Sequence, residues 1–352
     1  MAINLHDKYA NKIQTVFTTQ SLIAGRLSTE YDFSGVKTVK VMTPQTVPMN
    51  DYTRTGSNRY GTPVEMEDIV QEMTLTQDKS FSLTVDKGNN LDQNGLKAAG
   101  KMLALQISER AVPTMDKYVF AALAQKAGKV VGNSTALSKT NVCDRISEGT
   151  LYLDDKEVPQ DNRTLYVSNT TYKYLKHSDE FLGVDELAKT ALAKGQVGQY
   201  DNMAVIKVPA GRWPANVNFM IVYKNSATAP VKLNDTKLHQ DPPGISGNLL
   251  EGRQYYDCFV FGAKCDGVYV EVDTTSGKGT VLAAPTIAAA TGAITPPSGA
   301  TVKFTIDGSD PRYSHTAQVG TAAGTGAGVV VKAYAYKDGA YPSPVAETTL
   351  TA

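Results

Sequence analysis

Little in this sequence supports redox, metal or charge-driven chemistry. Its 352 residues hold three cysteines, one tryptophan and four histidines. Cys143, Cys258 and Cys265 form no CxxC pair. An odd set of thiols without that spacing excludes a disulfide framework and reads as small core or surface residues in a reducing compartment. His6, His177, His239 and His315 are scattered without HxxxH or HExxH spacing, so no metal-ligand set is expected. Charge of one sign is absent too: 35 Lys and Arg balance 35 Asp and Glu. A neutral total gives no pull toward nucleic acid or membrane. No run approaches the roughly 18 apolar residues of a membrane span. The start, MAINLHDKYANKIQ, lacks the features of a signal peptide, so a soluble, cytosolic product is expected.

Catalytic constellations are missing as well. Asp154 and Asp155, with Glu157, are the nearest thing to a carboxylate pair, but neighbours on a turn point in different directions and read as turn chemistry. KGQVGQY, around Gly195 and Gly198, lacks the GKS or GKT ending of a phosphate loop. No catalytic residue, cofactor or metal is therefore assigned, and the chain reads as a non-enzyme.

What is present is a sequence whose periodicity changes several times. Ile3, Tyr9, Ile13, Val16, Phe17, Leu22 and Ile23 recur at roughly helical spacing, with few charges and nothing nearby to cover them. Such a segment must lie on another surface, its own or a neighbour's. From Gly35 the period becomes two. Val39 and Val41 lie on one arm, Val64, Met66, Met73, Leu75, Phe81, Leu83 and Val85 on the return, and Thr53 to Pro63 form the tip. A long two-stranded hairpin is marginal alone in water, so this one is expected to lie across something else. Leu96, Ala99, Leu103, Ile107, Ala111 and Met115 then predict a helix over 95–127, about 50 Å long at 1.5 Å per residue. Pro113 sits inside it, in ERAVPTMDKYVF, where a helix interior loses roughly 3 kcal/mol, so a bend or interruption is expected there.

Residues 140–225 mix short helices and strands: a helix ending near Asp154, a buried strand RTLYVS, a short helix from Asn169, and strands in QYDNMAVIKVP and NFMIVYK. RQYYDCFVFGAKCDGVYVEV adds two β-rich runs around a turn at Lys264 to Gly267, expected to pair back near the long helix. After TTSGKGT, charges thin out and Ala, Thr and Gly dominate. TVKFTIDGSDP, with Val302, Phe304 and Ile306 inward, and VVVKAYAYKDG predict a small β-sandwich on a flexible linker.

The order of parts, with LTQDKSFSLTVDKGNN, ERAVPTMDKYVFAAL, LDDKEVPQDNRTLYVSNTTYKYL and GQVGQYDNMAVIKVP, resembles the major capsid protein of tailed phages, the Hong Kong 97 type fold. FTIDGSDP followed by KAYAYKDGAYPSPVAE resembles the immunoglobulin-like module that ends chitobiase and hexosaminidase chains. The resemblance implies an α+β capsid fold plus a small all-β immunoglobulin-like sandwich. It divides the chain into an N-terminal arm (1–34), an extended loop (35–90), a peripheral domain with a spine helix (91–139 and 226–273), an axial domain (140–225), a linker (274–284) and an outer domain (285–352).

The function it implies is self-assembly into hexamers and pentamers of an icosahedral shell around double-stranded DNA. The virion is the expected location, with assembly in the host cytoplasm. Expected partners are copies of the chain, a portal protein, a separate scaffolding protein and packaged DNA held by non-specific proximity, with no membrane. Arg54, Arg59, Glu65, Glu67, Asp68 and Glu72 are candidates for intersubunit charge pairs that set register. Some members of the fold link lysine to asparagine covalently. Lys79 and Lys87 lie near the loop, but no triplet is identified, so non-covalent assembly is expected. On the outer domain, Tyr313 and Tyr341 are candidate contacts for a host-surface glycan, with Tyr334 and Tyr336 close by. The alternative reading is a glycan-binding or glycosidase-associated protein with an accessory sandwich. It lacks a carboxylate pair or nucleophile elbow in residues 1–272.

Overall fold

A computed structural model describes residues 20–31, 33, 36–47, 49–63, 65, 66, 68–92, 99–178 and 196–351. The helical expectation over residues 3–19, and Val64 and Glu67 in the hairpin, lie outside the described residues. β1 (Thr38–Pro44) and β2 (Asp68–Thr74) pair antiparallel, with Thr38 opposite Thr74 and Pro44 opposite Asp68. The alternation has a physical cause at the base. Val39, Val41, Met73 and Leu75 pack with Phe33, Phe259 and Phe261, so this end of the hairpin is sealed to the body. Between Pro44 and Asp68 the described residues form no strand, and a turn closed by the Thr53 N–H donating to the Arg59 carbonyl (3.1 Å) caps the far end.

The return arm is not one strand, as its unbroken parity predicted. β3 (Gln77–Asp86) leaves the hairpin and pairs antiparallel with the strand Gly247–Tyr256. The short helix α1 (Lys87–Asp92) follows. The long helix comes in two pieces, α2 (Ala99–Gln106) and α3 (Val112–Gln125), joined without a break by a π-helical turn at Ile107–Ala111. Pro113 lies just after this turn, where the i→i−4 ladder is already interrupted and its missing donor costs least. The wider turn matches: Val112 N–H donates five residues back, to the Ile107 carbonyl, and Thr114 Oγ1 covers the Arg110 carbonyl at 2.7 Å. The turn also divides two environments, since α2 buries none of its side chains and α3 buries Val119, Phe120 and Leu123 completely.

Next come β4 (Lys129–Asn133), α4 (Val142–Asp155), β5 (Arg163–Ser168), α5 (Asn169–Lys176), β6 (Gln196–Tyr200), β7 (Met203–Val208) and β8 (Val217–Tyr223). After β9 (Ala227–Thr228), β10 (Val231–Gln240), β11 (Gly247–Tyr256) and β12 (Phe259–Val260), β13 (Val268–Asp273) completes the body. One six-stranded mixed sheet organises it, in the order β4-β13-β8-β5-β7-β6. Its strands are apolar on both faces because both are covered. Tyr166, Met220, Val222, Val268 and Val270 face α3, while Leu165, Val167, Phe219, Ile221 and Tyr269 face α4 and α5. β4 and β13, assigned from sequence to the peripheral domain, thus belong to the sheet of the 140–225 lobe. The second sheet, β10-β11-β3, carries the exposed strand β10 at its edge.

The C-terminal module is all β. β14 (Thr286–Ile287) pairs with β15 (Ile294–Thr295), and β16 (Thr301–Thr305), β17 (Gln318–Val319), β18 (Val330–Tyr336) and β19 (Ala346–Thr349) form a four-stranded sheet in the order β17-β16-β18-β19. Both sheets contribute to one core, which includes Ile294, Val302, Phe304, Val331 and Ala333. Ile306, expected inward, is 47% exposed, because β16 stops at Thr305 and the Asp-Gly turn begins.

Candidate assembly surface

The hairpin concentrates unburied apolar side chains. Among the described residues, seven of the thirteen exposed large hydrophobic side chains fall between 36 and 66: Val36, Met42, Val47, Met49, Tyr52, Tyr60 and Met66. Met49 is 99% exposed and Tyr60 86%. Scattered exposed apolar residues are ordinary, but a run of them along one projecting element is a surface that another surface can cover. Tyr52 and Tyr60 make an edge-to-face pair 5.0 Å apart, which ties together the two sides of the tip loop.

Arg54, Arg59, Glu65 and Asp68 stand exposed on this projecting end. Arg59 Nε reaches only the Gly56 carbonyl within its own turn, at 3.2 Å. Glu72 is different. It sits opposite Lys40 and pairs with it at 2.7 Å, which lowers its carboxyl pKa, so its charge is already used inside the chain.

Buried charges fix the base of this element. Asp257, 1% exposed, takes the Thr76 N–H (2.9 Å) and hydroxyl (2.7 Å) on one oxygen; the other takes the Tyr118 hydroxyl and the Cys258 N–H, both at 2.7 Å. It therefore joins the hairpin exit, α3 and the segment after β11. Asp116, also buried, accepts from Ser21 Oγ (2.7 Å), the Leu22 N–H (3.1 Å) and Arg212 Nη1 (2.8 Å), which holds the end of the N-terminal segment against α3. Arg145 and Asn218 converge on Glu271 at 3.1 and 2.9 Å. Burial still pushes that carboxyl above its ordinary value, against the pull of these partners. Sequence reasoning missed all three carboxylates, whose partners lie far away in the chain.

The remaining titratable groups are structural. Asp154 pairs with Arg163 at 2.7 Å, and Glu157 takes a positive φ of 55° in the turn that ends α4, as a turn reading requires. Burial pushes the Cys258 and Cys265 thiols up to about 12, which leaves them inert. Among the described residues no cluster of His, Cys, Asp and Glu could hold a metal ion, and no helix is long and apolar enough to cross a membrane.

Tyr313 and Tyr341 are not available to a glycan. Tyr341 is 8% exposed and donates its hydroxyl to the Ala215 carbonyl at 2.5 Å, and Tyr313 donates to the Lys126 carbonyl at 2.7 Å. Both rings pack with the core of the body, so the tyrosines expected on an outward surface lie at the junction instead. The segment 274–284, expected to be a flexible tether, is also pinned: the Leu282 N–H donates to the Tyr341 carbonyl, and the Tyr341 N–H to the Thr280 carbonyl.

No protein-family model matches the sequence. No curated protein matches it either. Solved structures do share its architecture. A structure from Mycobacterium phage Che8 aligns over 78% of this chain and 100% of its own, with a TM-score of 0.63 at 17% identity. The capsid structure of cyanophage P-SCSP1u aligns over 77% of this chain and 93% of its own, with a TM-score of 0.60 at 13% identity. The asymmetric unit of the bacteriophage PhiM1 mature capsid aligns over 78% and 92%, with a TM-score of 0.59 at 12% identity. The fold is a phage-capsid fold. Within that fold, a two-sheet body carrying a projecting, apolar hairpin is the arrangement described above, and about a fifth of this chain lies outside the match.

Proposed function

We propose that this chain is the major capsid protein of a tailed phage, with the Hong Kong 97 type architecture, and that copies of it form the hexamers and pentamers of an icosahedral shell. The observation that carries the reading is the phage-capsid fold over more than three quarters of the chain. The exposed hairpin adds the physical reason for assembly. Its exposed apolar residues are left uncovered by the described residues, and at roughly 25 cal/mol per Å² buried, a neighbouring copy that covers them stabilises the pair. Hairpins repeated around a ring satisfy the symmetry of closed capsomers. Arg54, Arg59, Glu65 and Asp68 then set register across the contact, each pair adding only about 0–1 kcal/mol. Glu67 is proposed for the same role.

On this reading the protein acts in the virion and is not an enzyme. A portal protein, a scaffolding protein and the packaged DNA are its proposed partners, and the module carries the immunoglobulin-like sandwich. Electron microscopy of the purified full-length protein tests it. Capsomers or closed shells of uniform size are expected; monomers that stay dispersed at high concentration would reject the proposal.

A further inference from the structure

We propose that the C-terminal module is a built-in clamp that fixes the β1–β2 hairpin to the C-terminal end of α3. The contact is made by one loop, residues 310–316. Its first half grips the helix end. Arg312 donates Nη1 to the Ala127 carbonyl (3.0 Å) and the Gly128 carbonyl (2.6 Å), and the Tyr313 hydroxyl donates to the Lys126 carbonyl (2.7 Å). Three successive carbonyls, that of the α3 cap Lys126 and two in the turn to β4, are thus satisfied from the module. Arg312 spans the two carbonyls of that turn with one nitrogen, and Tyr313 covers the carbonyl of the helix cap, which has no intrahelical partner. Asp310 aims it: Nε lies 3.0 and 3.2 Å from the two carboxylate oxygens and Nη2 lies 2.6 Å from one of them, a planar fork that leaves Nη1 for the helix. The Arg312 side chain is 11% exposed, so these charge-assisted bonds are shielded from water.

The second half of the loop grips the hairpin. Ser314 bridges antiparallel to Gln71 of β2. The His315 Nδ1–H donates to the Val70 carbonyl at 3.0 Å, while the His315 N–H approaches the same oxygen at 3.5 Å. Gln71 in turn donates Nε2 to the Val260 carbonyl and accepts the Gly262 N–H, both at 2.8 Å, so the strand held by the module is also tied to the body. Tyr341 and the loop together attach the module to Ala215, to the end of α3 and to β2. The clamp does not depend on the capsid reading, because every contact lies within one chain.

The test is hydrogen exchange by mass spectrometry on the unassembled full-length chain. Arg312→Ala is expected to speed exchange in peptides covering 68–75 and 120–128 by about tenfold or more, the factor equivalent to one charge-assisted hydrogen bond. Peptides from β16 and β18 should be unchanged. Unchanged exchange at 68–75 with the module intact would overturn the clamp. Should Arg312→Ala loosen β16 and β18 as well, the pair Tyr313→Phe and His315→Ala, which keeps the Asp310–Arg312 fork, decides: faster exchange at 68–75 supports the clamp and unchanged exchange overturns it.

Discussion

Asp257 offers the sharpest test of how the hairpin is held. Asp257→Ala removes the acceptor of two Thr76 donors and of the Tyr118 hydroxyl, besides that of its neighbour Cys258. A hydrogen bond to a charged group contributes about 1.5–3 kcal/mol, so three bonds between segments bound the loss near 5–9 kcal/mol. Two discounts apply. Thr76 is exposed and can turn to water, and Lys126, 3.8 Å away with its side chain 39% exposed, adds little as an ion partner. The expected loss is therefore about 3–4 kcal/mol. Asp257→Asn should lose about half as much, because its amide presents a donor to either Thr76 or Tyr118. Urea unfolding of the unassembled chain reads this directly, since the lone tryptophan, Trp213, packs at a tilt 5.5 Å from the Phe120 ring of α3 and reports that core. A double-mutant cycle with Tyr118→Phe should return a coupling of about 1–2 kcal/mol. A loss below about 1 kcal/mol for Asp257→Ala, or a coupling near zero, would refute the assignment of this carboxylate as the joint.

Three further outcomes follow from the geometry. Reversing Glu65 and Asp68 to lysine should impair particle formation while leaving the circular dichroism of the unassembled chain unchanged; normal particles would count against the register role. Gly128→Ala places a Cβ against the Cys265 backbone carbonyl, and should lower stability by about 2 kcal/mol or more in thermal melts, with an unchanged melt as the contrary result. At Asp307 burial opposes the charge, but the Ser309 and Thr316 hydroxyls and the Ser309 N–H outweigh it and hold the carboxyl below its usual pKa. Stability from such a group is complete above the unfolded value of about 4 and is lost as pH falls through the folded one, so Asp307→Asn should flatten the acid limb of the module's melting curve, and an unaltered limb would contradict it.

Local pattern carried a good part of the fold and little of the site. α4 ends at Asp155, β5 is RTLYVS and α5 starts at Asn169, as periodicity predicted, because α4 buries one apolar face and β5 is buried on both. Periodicity is silent about partners. Met73, Leu75, Phe81, Leu83 and Val85 keep one parity from β2 into β3, so nothing marks the residue at which the chain leaves the hairpin for β11. β13 reads as an apolar strand in either sheet, and only tertiary pairing with β4 and β8 places it in the lobe. The exposed charges of the hairpin were visible as charges between turn residues. Asp257, Asp116 and Arg312 were not, because each acts through partners more than ninety residues away and no spacing rule reaches that far. The module misled for a related reason. Its few charges suggested a free outer domain, yet two of them, Asp310 and Arg312, make the junction.

The choice of buried polar joints follows from the shape of the element they hold. A strand of seven residues reaches roughly 23 Å at 3.3 Å per residue, so a 5° swing at the hairpin base moves the end of β2 by roughly 2 Å. That displacement is enough to break a charge pair or to slip an apolar contact at the far end. Apolar packing at the base, around Met73 and Phe259, resists separation but has no preferred direction, and it tolerates small rotations. A buried carboxylate with four donors has one satisfied geometry, and leaving it strands donors away from water. Asp257 at the base and the Ser314–Gln71 bridge midway along β2 therefore fix the angle that packing leaves soft. An exposed contact worth only tenths of a kcal/mol can then select register, because the element that presents it arrives already aimed.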